Sequence, residues 1–442
     1  MKALTFKGGL HIPDRKERTI HCAIIELEAS EEMVYPMIQH IGAPCIPLVK
    51  VGDEVLAGQK IGDTDKYVSA PIHSSVSGTV TAVEMRRHPN GNEVMSVVVK
   101  NDFKYTLSPD IYEREHCSRI PRDEMISIVR EAGIVGLGGA AFPTHIKLNP
   151  DKSKKIDCII VNGAECEPYL TSDYRVMLEN PIQIFKGIEY IKKITGAEKC
   201  LIGIENNKPE AISIMRENAK SFDGTDICVL KTKYPQGSEK QLIKAITGRE
   251  VPVGKLPADV GVVVNNIDTC VSVHSAIKMR RCVLKRIVTV SGDAVKKPGN
   301  YEVRIGTSFT DILKAAECNF DSAKKIIMGG PMMGIAQFTT DVPTVKATSA
   351  ILAFGENTLD SRRTVSCVHC GECIRHCPMR LMPAKLNAAA KKGDLEELKK
   401  LNITNCMECG ICTYVCPCRN TITQNIKISK AKIREQASNE VK

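Results

Sequence analysis

The spacing of apolar and polar positions divides this chain of 442 residues into four blocks. Up to about residue 110, short apolar runs at 46–53, 58–62 and 76–80 alternate with turns that contain Gly and Asp, which predicts a domain of short strands. Between about 120 and 282, helical and strand-like patterns alternate. The apolar runs at 158–161 and 261–264 therefore predict buried strands of a parallel α/β sheet.

The two remaining blocks are smaller. Strand-like runs at 287–293 and 297–303, followed by an amphipathic helix near 309–316, predict a compact domain of strands and one helix. The Ala, Lys, Glu and Leu content of 386–401 favours a helix within the last block. The polar, basic residues from 427 onward predict a frayed tail.

Polar loops follow both predicted buried strands of the α/β block. One loop covers 162–168 and the other covers 265–269. Ligands of open α/β sheets bind at the carboxyl ends of the strands. We therefore expect these two loops to form the walls of a binding site.

Composition excludes several classes of protein. The net charge of +10 is modest for this length, and aromatic residues make up only 4% with no tryptophan, so a nucleic-acid partner is not expected. No apolar run approaches the roughly 18 residues that span a bilayer, and residues 1–20 contain no apolar segment typical of a signal peptide. We therefore expect a cytoplasmic location, with membrane contact only through protein partners.

Two copies of one cysteine pattern, Cys-x2-Cys-x2-Cys-x3-Cys-Pro, lie near the C-terminal end. This spacing is typical of 4Fe-4S clusters, and in two-cluster proteins the fourth cysteine of each run ligates the other cluster. The prediction is one cluster held by Cys367, Cys370, Cys373 and Cys416, and a second held by Cys377, Cys406, Cys409 and Cys412. Paired zinc sites and a disulfide framework are the alternatives, and this spacing suits them less well.

A glycine-rich run at 133–147 precedes the first polar loop. Successive glycines leave backbone N–H groups free to bind an anion, and Lys147 adds a positive charge for a phosphate. The order of Gly-x-Gly-Gly-Ala-x-Phe-Pro-Thr-x-x-Lys, Asn-x-x-Glu-x-Glu-Pro, Gly-x-Glu and Asn-Asn-x-x-Thr resembles the flavin-carrying, NADH-binding subunit of respiratory complex I.

That resemblance implies a noncovalent FMN and NAD(H) as substrate. The residues it assigns to FMN are Gly136, Gly138, Gly139, Lys147, Asn162, Glu165, Cys166, Gly237, Ser238, Asn265, Asn266 and Thr269. It assigns Phe142, Glu167 and Glu239 to the nicotinamide nucleotide. This chain departs from the pattern at Leu137, Ala164 and Ser238, where that family has arginine, aspartate and glutamate. The alternative is that the three glutamates are surface charges.

The other blocks resemble known modules as well. Block 1–110 is similar to the barrel-sandwich fold of biotinyl and lipoyl carriers, which makes Lys66 an alternative lipoyl-type site. Block 284–356 is similar to the β-grasp domain that binds soluble ligands, and 360–430 to a helical two-cluster ferredoxin. With the Rossmann-like domain at 115–283 and a basic tail at 431–442, the predicted fold class is multidomain α/β and α+β.

In this order the blocks resemble the C subunits of Rnf electron-transport complexes, as do the segments 5–13, 39–45 and 163–170. The resemblance implies a subunit on the cytoplasmic face of the membrane in an ion-translocating ferredoxin:NAD oxidoreductase. Its partners would be the other subunits and a ferredoxin or ferredoxin-like protein. A soluble flavin and iron-sulfur reductase of the cobalamin-reductase or proline-reductase type is the alternative, although cobalamin reductases carry the barrel-sandwich module after the clusters.

Overall fold

A computed structural model describes residues 3–356, 358 and 363–440. The predicted boundary at 360 and the last two residues of the predicted tail lie outside this part. The strands are β1 (Ile24–Glu26), β2 (Glu32–Pro36), β3 (Ile46–Pro47), β4 (Glu54–Val55), β5 (Lys60–Asp63), β6 (Ile72–His73), β7 (Gly78–Arg87), β8 (Glu93–Asn101), β9 (Cys158–Gly163), β10 (Lys199–Glu205), β11 (Thr225–Leu230), β12 (Val262–Asn266), β13 (Lys285–Ser291), β14 (Gly299–Arg304), β15 (Lys325–Met328), β16 (Ile335–Gln337) and β17 (Ala350–Phe354).

The α-helices of the described residues lie mainly in the second and fourth blocks. They are α1 (Arg122–Glu131), α2 (Thr144–Leu148), α3 (Ser172–Glu179), α4 (Pro181–Thr195), α5 (Pro209–Ala219), α6 (Glu239–Thr247), α7 (Ile267–Met279), α8 (Phe309–Ala315), α9 (Glu372–Arg375), α10 (Pro383–Lys392), α11 (Leu395–Lys400), α12 (Ile411–Tyr414) and α13 (Ile422–Glu440).

The α/β block forms the parallel sheet that the sequence predicts. Its strand order is β11-β10-β9-β12, and all three pairings are parallel. The chain moves from β9 outward to β10 and β11, and then returns to the other side of β9 with β12. The order therefore reverses between β9 and β12, which is where a crevice opens at the carboxyl ends of the strands.

The first block folds into two antiparallel sheets, β2-β8-β7-β4 and β3-β5-β6. They share a core that includes Met33, Tyr35, Val55, Ile61 and Ile72. The third block forms the sheet β1-β14-β13-β17-β15-β16, with α8 as its helix. Strand β1 comes from the N-terminal part of the chain and pairs in parallel with β14.

Two predictions about the last block are wrong. The single helix expected at 386–401 is divided into α10 and α11, because Gly393 turns the chain at φ 72° and the Asp394 side chain accepts a hydrogen bond from the N–H of Glu397. The tail expected to be frayed continues α13 as far as Glu440. Ile422 and Ile426, one helical turn apart, pack against Leu386 and Leu398, and this burial stabilises the helix.

Residues 3–22, here called the N-terminal strap, pack outside the barrel-sandwich sheets. Leu4 forms a bridge to Leu230 at the end of β11. The N–H of Gly9 donates to the carbonyl of His376 in the cysteine-rich block. The strap therefore contacts the α/β and cluster blocks before it leads into β1.

Candidate functional site

The carboxyl ends of β9 and β12 place asparagine side chains on both sides of the crevice. At the end of β9, the Asn162 amide donates to the carbonyl of Gly237 at 2.7 Å. At the end of β12, Asn266 caps helix α7 through the N–H of Asp268 at 2.9 Å. The side-chain nitrogen of Asn265 is buried and has no hydrogen-bond partner among the described residues. Such a donor fits a bound ligand, because buried amides are otherwise satisfied.

The glycine-rich loop, residues 136–141, forms a tight hairpin above this crevice. The N–H of Gly136 donates to the carbonyl of Phe142, and the N–H of Leu137 donates to the Thr269 hydroxyl at 3.0 Å. Gly139 has φ 117°, with open space where a Cβ would lie. In the described part of the chain no acceptor reaches the N–H groups of Gly138, Gly139 and Ala140. These exposed donors are suited to a phosphate.

Lys147 and Glu239 meet at one edge of the site. The Lys147 ammonium lies 2.7 Å from a Glu239 carboxylate oxygen and 2.8 Å from the carbonyl of Val264. Glu239 begins helix α6, where a carboxylate is favoured by the helix dipole. Both side chains are partly exposed, so each can also face a ligand.

The 164–170 loop leaves β9 and carries three predicted site residues. The Glu165 carboxylate accepts from the N–H of Asp173 at 2.7 Å, and the Cys166 sulfur accepts from the N–H of Gly237 at 3.2 Å. The Glu167 carboxylate accepts from the N–H groups of Met332 at 3.1 Å and Met333 at 3.0 Å. The structure thus gives Glu167 a contact with the β-grasp domain, while its role toward the nicotinamide stays a prediction.

Burial raises the pKa of two carboxyl groups, one in this loop and one in helix α3 beside it. It raises the pKa of the Glu167 carboxyl to about 7, against hydrogen bonds from Met332 and Met333 that lower it. It also raises the pKa of Asp173 to about 7, with the neighbouring Glu165 acting in the same direction. The alternative that the three glutamates are surface charges does not fit Glu165, which is buried, or Glu167, whose carboxylate accepts three hydrogen bonds, whereas Glu239 is partly exposed.

Sequence reasoning missed several residues that organise the site. The Tyr234 hydroxyl lies 3.3 Å from the Glu167 carboxylate and 2.8 Å from the carbonyl of Cys409. Lys16 and Lys208 are buried behind the 164–170 loop. No local signal marks these lysines, because an isolated lysine in a sequence is normally a solvated surface charge.

The cysteines of the two motifs fall into two electrostatic neighbourhoods, while the crossed ligation itself stays a prediction. Cys373 has Cys370, Cys367 and Cys416 as its electrostatic neighbours. Cys406, Cys409 and Cys412 each have Cys377 as a neighbour instead. All nineteen cysteines lie in the described residues, and none is in a disulfide.

The cysteine group of Cys377, Cys406, Cys409 and Cys412, here called the inner set, lines one apolar pocket. Backbone N–H groups approach its sulfurs, from Leu381 to Cys377 and from Glu408 to Cys406, both at 3.4 Å. Such donors stabilise the sulfurs of an iron-sulfur cluster. No group of His, Cys, Asp or Glu in the described residues is placed to hold a single metal ion. The donor set and its N–H contacts fit a 4Fe-4S cluster.

The other group of four cysteines is here called the outer set, because Cys367 and Cys370 are exposed while Cys409 is buried. The inner set faces the α/β domain. The Ser238 hydroxyl lies 3.9 Å from the sulfur of Met407, and the Gln241 amide lies 3.4 Å from the carbonyl of Pro378. Ser238 and helix α6 therefore pack against the residues that directly follow the inner ligands Cys406 and Cys377.

Four family models match consecutive parts of the chain. They are the RnfC barrel-sandwich hybrid domain at residues 4–104, the Nuo51 FMN-binding domain at 129–275, the SLBB domain at 287–336 and the 4Fe-4S dicluster domain at 366–420. Together with the crevice and the two cysteine sets, they define a flavin- and iron-sulfur-dependent electron-transfer protein with FMN and two 4Fe-4S clusters as cofactors.

Full-length relatives give the particular family. The chain is 43% identical over 429 residues to the C subunit of the Na+-translocating ferredoxin:NAD+ oxidoreductase complex of Acetobacterium woodii, covering 97% of both chains. It is 44% identical over 397 residues to the C subunit of the proton-translocating complex of Clostridium ljungdahlii, covering 89% of this chain and 86% of the relative. The chain belongs to the family of Rnf complex C subunits.

A weaker similarity is to the solved NAD+-reducing [NiFe]-hydrogenase in its H2-reduced state. The TM-score is 0.49 and the identity 19%, over 71% of this chain and 63% of the other. In the described residues, no helix combines the length and the apolar character needed to cross a membrane.

Proposed function

We propose that this subunit exchanges electrons with NAD(H) and passes them through the inner and then the outer cysteine set to partner subunits of the Rnf complex. The complex would couple ferredoxin:NAD+ oxidoreduction to Na+ or H+ translocation, as the names of its relatives state. The subunit would lie on the cytoplasmic face of the membrane and contact it only through those partners.

The contact between Ser238 and Met407, the residue that follows the inner ligand Cys406, carries this proposal. Flavin supplies the exchange between hydride transfer with nicotinamide and single-electron transfer with clusters. The order in which electrons would reach the two cysteine sets follows from their positions. Ser238 touches Met407, which lies between two inner ligands, whereas the outer ligands Cys367 and Cys370 are exposed. Electrons that enter at the crevice would therefore meet the inner set first.

The order is tested by removing one ligand from each set. Cys370→Ser removes an exposed outer ligand and Cys409→Ser a buried inner ligand. After anaerobic mixing with NADH, EPR should show the inner cluster still reduced at the normal rate in Cys370→Ser. In Cys409→Ser the outer cluster should stay oxidised. Iron and flavin contents of each preparation serve as controls.

One result would contradict the proposed order of electron transfer. If NADH reduced the outer cluster of Cys409→Ser as fast as in the parent chain, the inner set would not lie on the path.

The peripheral location is tested separately, by washing native membranes with high salt and adding the purified chain to protein-free liposomes. Tight binding to liposomes in high salt would contradict contact through partners alone.

A further inference from the structure

The 164–170 loop of the proposed flavin site has a strained backbone. Glu165 has φ 47° and Tyr169 has φ 71°, which is the left-handed region that side chains other than glycine rarely adopt. Conformations of this kind persist where surrounding contacts over-determine them. Contacts from outside the loop must therefore fix its shape.

Two buried ammonium groups provide those contacts. Nζ of Lys16 donates to the carbonyls of Glu165 and Glu167, each at 3.1 Å, and also to the carbonyl of Leu170. Nζ of Lys208 donates to the carbonyl of Ala164 at 2.7 Å. Because an ammonium has three donors, the loop carbonyls use the full capacity of Lys16.

Both lysines are buried, so their ammonium groups depend on partners within the protein. Lys16 is 2% exposed and Lys208 is fully buried. Each has one carboxylate close by, Glu165 at 3.7 Å from Lys16 and Glu205 at 3.6 Å from Lys208. Removal of the Lys16 ammonium would take this donor from three loop carbonyls and the counter-ion from Glu165. Removal of the Lys208 ammonium would take the donor from the Ala164 carbonyl and the counter-ion from Glu205. Both losses are unfavourable in a buried site.

The two lysines come from different parts of the chain. Lys16 belongs to the N-terminal strap, and Lys208 lies between β10 and α5. Neither side chain opens to the crevice, so neither is placed to touch a ligand. Their effect on a ligand must pass through the loop that they hold.

We propose that Lys16 and Lys208 are positioning residues, which set the conformation of the 164–170 loop and thereby the affinity for flavin. This inference rests on the proposed flavin site. The loop also connects Glu167 to Tyr234 and the β-grasp domain, so its position sets the alignment of the site with the inner cysteine set.

The test compares Lys16→Met with Lys7→Met in the full chain. Lys7 is an exposed residue of the same strap, so its variant controls for loss of charge. In Lys16→Met, hydrogen exchange of peptides that cover 164–170 should be at least tenfold faster, and the Kd for FMN should rise at least tenfold. At saturating FMN the visible circular dichroism of the bound flavin should change. Lys7→Met should match the parent chain in all three measurements.

Other results would contradict the proposed role of the two lysines. Unchanged exchange of the loop in Lys16→Met would overturn the positioning role, whether or not the chain binds flavin. Faster exchange with unchanged FMN affinity would show that the loop does not serve the flavin. If Lys16→Met does not fold, Lys208→Met, which removes a single loop contact, should show the same changes with smaller amplitude, and parent-like behaviour of that variant would refute the proposal.

Discussion

Gly371 and Gly410 occupy the same position in the two cysteine motifs, yet we expect them to respond differently to alanine. Both have a left-handed backbone, with φ 79° and 82°, and both cap a short helix. A Cβ at Gly371 would have nothing within 4 Å, whereas a Cβ at Gly410 would lie 2.6 Å from the carbonyl oxygen of Met332. The contact at Gly410 would be with a backbone carbonyl of the β-grasp domain, and a backbone group cannot rotate away as a side chain can.

The expected loss of stability is the sum of a backbone cost and a packing cost. A left-handed alanine costs about 1–2 kcal/mol in either motif. Insertion of a methyl group into a packed contact costs a further 1–3 kcal/mol or so, and only Gly410→Ala incurs it. With a urea slope of about 3 kcal/mol per M, this second term lowers the unfolding midpoint of Gly410→Ala by about 0.3–1 M relative to Gly371→Ala.

The assay is an anaerobic urea titration of both variants, followed by the visible circular dichroism of the clusters. A second measurement is release of flavin, because the displaced Met332 also binds Glu167 of the 164–170 loop. Gly410→Ala should release flavin faster than Gly371→Ala. Equal midpoints for the two variants, or a lower midpoint for Gly371→Ala, would refute the reasoning.

Four further predictions concern the site. Cys416→Ser should remove the EPR signal of the outer set and leave that of the inner set, and the reverse would show that ligation is not crossed. Gly138→Asp should abolish most flavin binding, measured by flavin released on acid precipitation, because it places a carboxylate among the exposed N–H groups. Glu239→Gln should reduce the preference for NADH over NADPH by about tenfold, equivalent to about 1.4 kcal/mol, in stopped-flow flavin reduction; an unchanged ratio would contradict a role at the ribose. Glu167→Gln should flatten the pH dependence of stability. The folded pKa of about 7 lies above the ordinary 4.5, so the native state holds the proton and stability falls as pH rises from about 4.5 to 7, by about 3 kcal/mol. Chemical denaturation across this range should show a smaller fall in the variant, the remainder being due in part to Asp173, and an identical fall would refute the assignment.

The sequence was informative where chemistry depends on local spacing. The cysteine spacing predicted the two groups, and apolar runs predicted the strands β9 and β12 and therefore the crevice between them. The rule for open α/β sheets also predicted that the polar residues after β9 and β12 lie at one edge of the sheet, where Asn162 is the partner of Asn266. These features depend on residues close together in the chain or on general topology.

Contacts between distant residues could not be predicted in the same way. Lys16 and Glu167 are 151 positions apart, and Tyr234 and Cys409 are 175 apart. Their pairing depends on how the domains pack, which no periodicity encodes. The buried face of α13 is different, because Ile422 and Ile426 are four positions apart in the sequence, whereas the frayed tail was predicted only from the polar composition of the residues from 427 onward.

The strap has a consequence for the order in which the chain folds during synthesis. Gly9 bonds to His376, and at about 5–20 residues per second a ribosome needs roughly 20–70 s to make the residues between them. The contact of Gly9 with the cysteine-rich block is thus among the last contacts to form. The strap meets the α/β domain earlier, through Leu4 and Lys16, and the arrival of the cysteine-rich block then completes its contacts.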